Sequence, residues 1–168
     1  MEAELNAKDL SNYIEKIYLQ SYNRFGISPI KLQKCLYFLF GYWGQYIRKA
    51  HMNKDNVEED LSEFSENLFS EEIQAWTYGP VLPEIYHMEK SGQIDGKIAE
   101  NYLQQNEHEL KIKEFIDYLL PQLFAISDFG LVDLSHQDKC WIDHYNEFEE
   151  HHNQVIPKEE IISEYCTK

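Results

Sequence analysis

Between Pro29 and Ile47 the chain is apolar almost all the way around a helix. Leu32, Leu36, Leu39, Phe40, Trp43 and Ile47 line one side, and Cys35, Tyr37, Phe38, Tyr42 and Tyr46 widen that arc to nearly the full circumference. A helix without a polar face belongs in the middle of its domain, so the remaining segments must wrap around it. Ser28-Pro29 supplies the N-cap and first helical position. Gly41 and Gly44 stand three apart inside the helix. Each costs ~1 kcal/mol of helix stability relative to alanine, which points to close helix–helix packing on that side.

The other segments read as short wrapping elements. Leu10, Tyr13, Ile14, Ile17 and Tyr18 recur at helical spacing and predict a helix over about residues 7–23, ended by Gly26. Residues 51–66 read as a polar loop or a short acidic helix. Ile73-Gln74-Ala75-Trp76 alternates and predicts a short strand, broken by Tyr78-Gly79-Pro80. Pro80 is expected to start a helix running to about Ser91, with Pro83 tolerated in its first turn and Gly92 as its stop. Ile94 to Tyr102 shows no clear period. From about Asn106 a helix runs on Ile112, Phe115, Ile116, Leu119 and Leu120, and on past Pro121 to Phe124. Leu131–Leu134 reads as a short segment. Ser135 followed by Asp138 resembles a capping arrangement for a helix through Trp141, Ile142 and Tyr145. Pro157 precedes a last short helix with Ile161, Ile162 and Tyr165. The expected fold class is mainly α: one compact helical domain over residues 1–168 with a small, short-stranded β element, α+β in sum.

Composition excludes several classes. The chain has 168 residues, 43 % of them apolar, too many for a disordered chain. A chain this long can bury roughly 70 % of its unfolded surface without a staple. No run approaches the ~18 consecutive apolar residues of a membrane span. The acidic, polar start MEAELNAKDL is unlike a secretory signal. Cys35, Cys140 and Cys166 leave an odd thiol and form no CxxC pair, so a disulfide framework is not expected and a reducing cytoplasm fits.

With 15 bases and 30 acids, the formal charge is −15. That balance argues against general binding to nucleic acid or an anionic membrane, both polyanions. The charge is unevenly placed. Arg24 to Lys54 holds six bases and no acid, whereas Asp55 to Glu72 holds eight acids and no base. An acidic insertion over about 55–72 and an acidic C-terminal segment over about 143–168 therefore stand out. They read either as solvated surface or as an electrostatic lure that speeds encounter with a basic partner.

Few residues suggest chemistry. Ser135-His136 lacks a GxSxG elbow, and adjacent residues seldom face each other as a catalytic pair must. His136, Cys140 and His144 fall at i, i+4 and i+8; on one helix they would share a face and could hold zinc if a fourth ligand arrived. His151-His152 beside Glu149-Glu150 is a weaker cluster. Neither GxGxxG nor GxxxxGK[ST] occurs, so no phosphate cradle is visible. Aromatics interleaved with Lys31, Lys34 and Arg48 could stack on nucleic acid, but the core needs the same rings. The sequence leads us to expect no enzyme, no cofactor and no metal site.

Three blocks resemble one known family. They are Ser28-Pro29-Ile30-Lys31-Leu32-Gln33-Lys34-Cys35-Leu36-Tyr37-Phe38; Ala75-Trp76-Thr77-Tyr78-Gly79-Pro80-Val81-Leu82-Pro83-Glu84-Ile85-Tyr86, preceded by Glu72-Ile73-Gln74; and Leu134-Ser135-His136 with Trp141. Together they are similar to the Panacea domain of SocA-like, phage-associated GepA-like proteins, over about residues 10–150. The resemblance implies a non-enzymatic bacterial or prophage antitoxin that binds a toxin protein. In one type it implies an adaptor presenting the toxin to a cytosolic AAA+ protease. The acidic insertion and acidic tail depart from the family pattern and are candidates for setting partner choice.

The residues expected to meet a partner are the exposed ones near the Tyr78-Gly79-Pro80 turn and in the acidic insertion: Lys31, Lys34, Trp76, Tyr78, Glu63 and Glu66. Gln33 is expected to hydrogen-bond the turn. The partner is expected to be a protein, a basic one if it is a toxin, with no direct nucleic-acid or membrane contact. The rival expectation is a phage-encoded acidic inhibitor of a host defence nuclease, an anti-CRISPR-like nucleic-acid mimic.

Overall fold

The computed structural model describes residues 2–22, 25–53, 61–145 and 153–168. Among them the chain forms helices α1 (Ala7–Tyr22), α2 (Pro29–Met52), α3 (Pro83–Lys90), α4 (Glu107–Phe124), α5 (Asp128–His136), α6 (Lys139–His144) and α7 (Lys158–Tyr165). Strands β1 (Gln74–Trp76) and β2 (Gly79–Val81) precede α3 and pair antiparallel, with Ala75 opposite Pro80. The fold is mainly α with a small β element, as the periodicities predict.

The apolar helix α2 is central. It packs against α1, α3, α4, α5, α7 and β2, and every residue from Lys31 to Gly41 is buried. Ser28 caps it as expected, its Oγ accepting from Lys31 N at 3.0 Å. The same hydroxyl donates to Asp128 at 2.6 Å and so ties the start of α2 to the start of α5. Gly41 and Gly44 explain themselves through α7. A side chain at Gly41 would meet the Tyr165 ring at 2.8 Å, and one at Gly44 would meet Ile162 at 2.6 Å. The missing side chains let α7 lie directly on α2.

Two boundaries differ from expectation. Pro80 starts no helix; it sits in β2, and α3 begins at Pro83, preceded by Leu82 as N-cap. A proline is tolerated in so short a ribbon because its missing N–H leaves no ladder donor unpaired on an edge. Leu131–Leu134 is part of α5, and Ser135 lies inside that helix instead of capping the next one. Asp138 takes the N-cap position of α6. Residues 153–156 run beside β1: Ala75 N donates to Gln154 O and Ile156 N to Ile73 O, each at 2.8 Å. The outer edge of β1 is thereby occupied by this chain. No single described helix is long and apolar enough to cross a membrane.

Candidate functional site

The three sequence blocks converge on the β1–β2 hairpin. From α2, the Gln33 amide brackets Leu82, donating to its carbonyl at 3.2 Å and accepting from its N–H at 2.8 Å. It therefore fixes the residue just beyond the hairpin and not the turn itself. From α5 and α6, Trp141 Nε1 donates to Trp76 O at 2.8 Å, and His136 Nε2 donates to Thr77 O at 3.1 Å. The His136, Trp141 and Tyr145 rings stack in series, 4.0 and 4.8 Å between centroids, and the Tyr145 hydroxyl reaches Thr77 Oγ1 at 3.2 Å. Gly79 has φ +107° and lies against Ser135 Oγ and the end of Lys34. Only glycine adopts that backbone at no steric cost, and only glycine leaves room there.

The turn this cradle holds projects outward. Tyr78 is 56 % exposed and meets Phe129 of α5, itself 61 % exposed, edge-on at 6.2 Å. Behind the turn lies a cleft of about 340 Å³. Its walls include Ile30, Trp76, Val81 and Tyr86, and Lys34 lines it from α2. Trp76 is half-buried, with its ring edge-on to Tyr86 at 4.9 Å and its Nε1 donating to Gln74 at 2.9 Å.

Lys31 and Lys34 are not the exposed cations expected of them; they are 8 % and 1 % exposed. Lys31 reaches across to α4, where Nζ donates to Phe124 O at 2.8 Å and Ile126 O at 2.7 Å, with Asp128 at 3.8 Å. A cation at a helix C-terminus, satisfying its free carbonyls, is well placed. Lys34 is different. Its Nζ donates to Pro80 O at 3.0 Å, and no carboxylate pairs with it among the described residues. Burial alone pushes its ammonium down to about 7. Glu89, on the cleft wall, is raised by burial and then by the charge of Glu15. The His136 imidazole is lowered, mainly by burial.

The acidic candidates separate as well. Glu63 is exposed. Glu66 is held by Arg48, whose guanidinium also grips Glu159, at 2.8 and 2.6 Å respectively. Much of the acidic charge is similarly engaged at home. Glu71 accepts from Ala7 N, and Glu164 accepts from the Lys139 and Cys140 N–H groups at the start of α6. Asp55, Glu58, Glu59, Asp60 and Glu147 to His152 lie outside the described residues.

His136, Cys140 and His144 do not share a helix, because the chain breaks between α5 and α6. His136 holds Thr77, His144 meets Glu160 at 2.6 Å, and the Cys140 thiol lies 3.3 Å from the Tyr37 hydroxyl. Burial pushes that thiol up to about 12, so it is protonated and a poor nucleophile at neutral pH. Among the described residues no group of three or more His, Cys, Asp or Glu is placed to hold a metal ion. A second polar centre is built on the buried Asp138. Asp138 Oδ2 accepts the hydroxyls of Tyr37 at 2.5 Å and Tyr165 at 2.7 Å, and Oδ1 pairs with Lys168 at 2.8 Å. It joins α2, α6 and α7.

Sequence reasoning singled out Trp76 and Tyr78, which the structure brings together with Lys34. It missed Phe129 and Glu89, which lie on other elements and carry no local signal, and it quoted Tyr86 in the second block without its place on the cleft wall. It noted Ser135, His136 and Trp141 without their target, the hairpin.

Residues 58–142, about half of the chain, match a family model described as antitoxin SocA-like, Panacea domain. The hairpin, α3, α4, α5 and the start of α6 lie inside that span, whereas α1, α2 and α7 lie outside it. No curated protein and no solved structure matches the chain.

Proposed function

We propose that this chain, which belongs to the Panacea-domain family of SocA-like antitoxins, neutralises a toxin protein by binding it and turns over no substrate. The observation that carries this reading is the exposed pair formed by Tyr78, on a hairpin clamped from both sides, and Phe129 of α5 beside it. Exposed aromatics on a rigid mount are the usual anchors of protein interfaces, and they bind with little ordering cost. The net charge of −15 supports a basic toxin, met in the cytoplasm, by steering the encounter. The rival reading, an acidic nucleic-acid mimic, has less support, because Glu66, Glu71, Glu159, Glu160 and Glu164 are bound to this chain's own donors.

The test is co-expression with the product of the adjacent gene. The parent chain is expected to restore growth and co-purify with that product, and the double variant Tyr78→Ala/Phe129→Ala to lose both while melting as the parent does. No rescue by the parent, or full rescue by the double variant, contradicts the reading. Rescue in a host lacking its cytosolic AAA+ proteases separates stoichiometric binding from delivery to a protease.

A further inference from the structure

Lys34 lines an apolar cleft with a buried ammonium. A lysine ammonium carries three N–H donors; here one goes to Pro80 O, and among the described residues no carboxylate joins it. Such a charge in such a place is unfavourable unless something anionic completes it. The cleft, about 340 Å³, is at the small end of the ~300–1,000 Å³ typical of ligand sites. It has room for a large side chain together with a carboxylate. Its walls, Ile30, Trp76, Val81 and Tyr86, suit an apolar or aromatic group, and Thr77 and Asn153 at its lining offer polar atoms.

We infer that this cleft receives the C-terminal residue of a polypeptide partner, an apolar or aromatic side chain packed against the joined Trp76 and Tyr86 rings, Ile30 and Val81, with its free carboxylate on Lys34. The inference rests on the antitoxin reading and names the part of the toxin that the site would take. A chain end fits better than an internal acidic side chain. An internal Asp or Glu would drag peptide groups on both sides into apolar walls without hydrogen-bond partners. A terminus brings one flanking peptide group and a carboxylate that can accept both remaining Lys34 donors. Glu89, the carboxyl on the cleft wall, selects against a ligand bearing a second negative charge.

The probes are acetyl-Ser-Gly-Leu-Phe as free acid and as amide, titrated calorimetrically into the whole chain, with 3-phenylpropionate as a third arm. The free acid is expected to bind at least tenfold more tightly than the amide and than 3-phenylpropionate. Lys34→Met, of similar length and apolar, is expected to fold and to bind acid and amide alike. Equal binding of acid and amide by the parent, retention of the acid preference by Lys34→Met, or no binding of either peptide overturns the inference. Binding of 3-phenylpropionate as tight as that of the peptide acid overturns the polypeptide assignment. Co-expression distinguishes the two readings. If the parent rescues growth but acid and amide bind alike, the cleft inference fails and the antitoxin reading stands. If the parent does not rescue, the antitoxin reading fails whatever the peptides do.

Discussion

Two buried charges in this molecule are treated in opposite ways. Asp138 is 1 % exposed and fully met: two tyrosine hydroxyls on one oxygen, a lysine ammonium on the other. Lys34, equally buried, has one carbonyl and the mouth of a cleft. The first arrangement clamps three helices together. The second carries an uncompensated desolvation cost at the place where three sequence blocks meet. A charge completed within the fold serves the fold; a charge left incomplete beside an open cleft is available to a ligand.

The largest effect should come from breaking the completed centre. Asp138→Ala leaves the Tyr37 and Tyr165 hydroxyls without their acceptor and Lys168 without its partner. Two buried hydroxyls that lose their acceptor, at about 1–3 kcal/mol each, should together cost about 2–6 kcal/mol, to be read from the urea midpoint. Next is the hairpin. Gly79→Ala forces a positive φ on alanine and a side chain onto Ser135 and Lys34, with an expected cost of about 2–3 kcal/mol.

The incomplete centre should respond with the opposite sign. Lys34→Met is expected to stabilise the free chain by about 2 kcal/mol at pH 7, since an apolar group replaces a poorly paired buried charge. Burial lowers the Lys34 pKa from 10.5 unfolded to about 7 folded. Between those values the unfolded chain binds more protons, so the parent gains stability as pH rises from 7 to 10.5. Below pH 7 both states hold the proton and the penalty is constant. Glu89 from α3 and His136 from α5 neighbour this group, and both are unchanged in the variant. The advantage of Lys34→Met should therefore shrink as denaturation is measured from pH 7 to pH 10. An advantage independent of pH would contradict the assignment.

Much of the fold was legible because its signals are local. The apolar circumference of α2, the Ser28-Pro29 cap and the paired glycines each carry their reason in the sequence itself. Pro80 and Pro83 were harder: both can open a helix, and only the partner Ala75 decides that Pro80 extends a strand. Ser135 looked like a cap because its role, filling the space beneath Gly79, comes from residues far away in the chain. The two lysines were misread for a related reason. Lysine reads as surface, yet the carbonyls that accept Lys31 and Lys34 lie 93 and 46 positions away. Trp76 and Tyr78 were recognisable as aromatics bracketing a turn; the cleft behind them was not, because its walls come from α2, the hairpin and α3 together.

Glu63 and Glu66 sharpen the same contrast on the acidic face. Glu66 is committed to Arg48, whereas Glu63 is exposed. Reversal of Glu66 to Lys should lower stability by about 1 kcal/mol or more, whereas reversal of Glu63 should change it by less than about 0.5 kcal/mol. If steering matters, Glu63→Lys should slow association in stopped-flow mixing at low salt and leave dissociation unchanged. An unchanged association rate removes the acidic insertion from the steering account at this position.

The central claim is that the partner sits on the clamped hairpin and its cleft. Amide hydrogen exchange of the chain, free and in complex with the partner that co-expression identifies, tests this directly. The account predicts slowed exchange in the complex at Trp76 to Tyr78 and at Phe129, with the acidic stretch around Glu63 little changed. Unchanged exchange at the hairpin, with protection confined to another face, would contradict it.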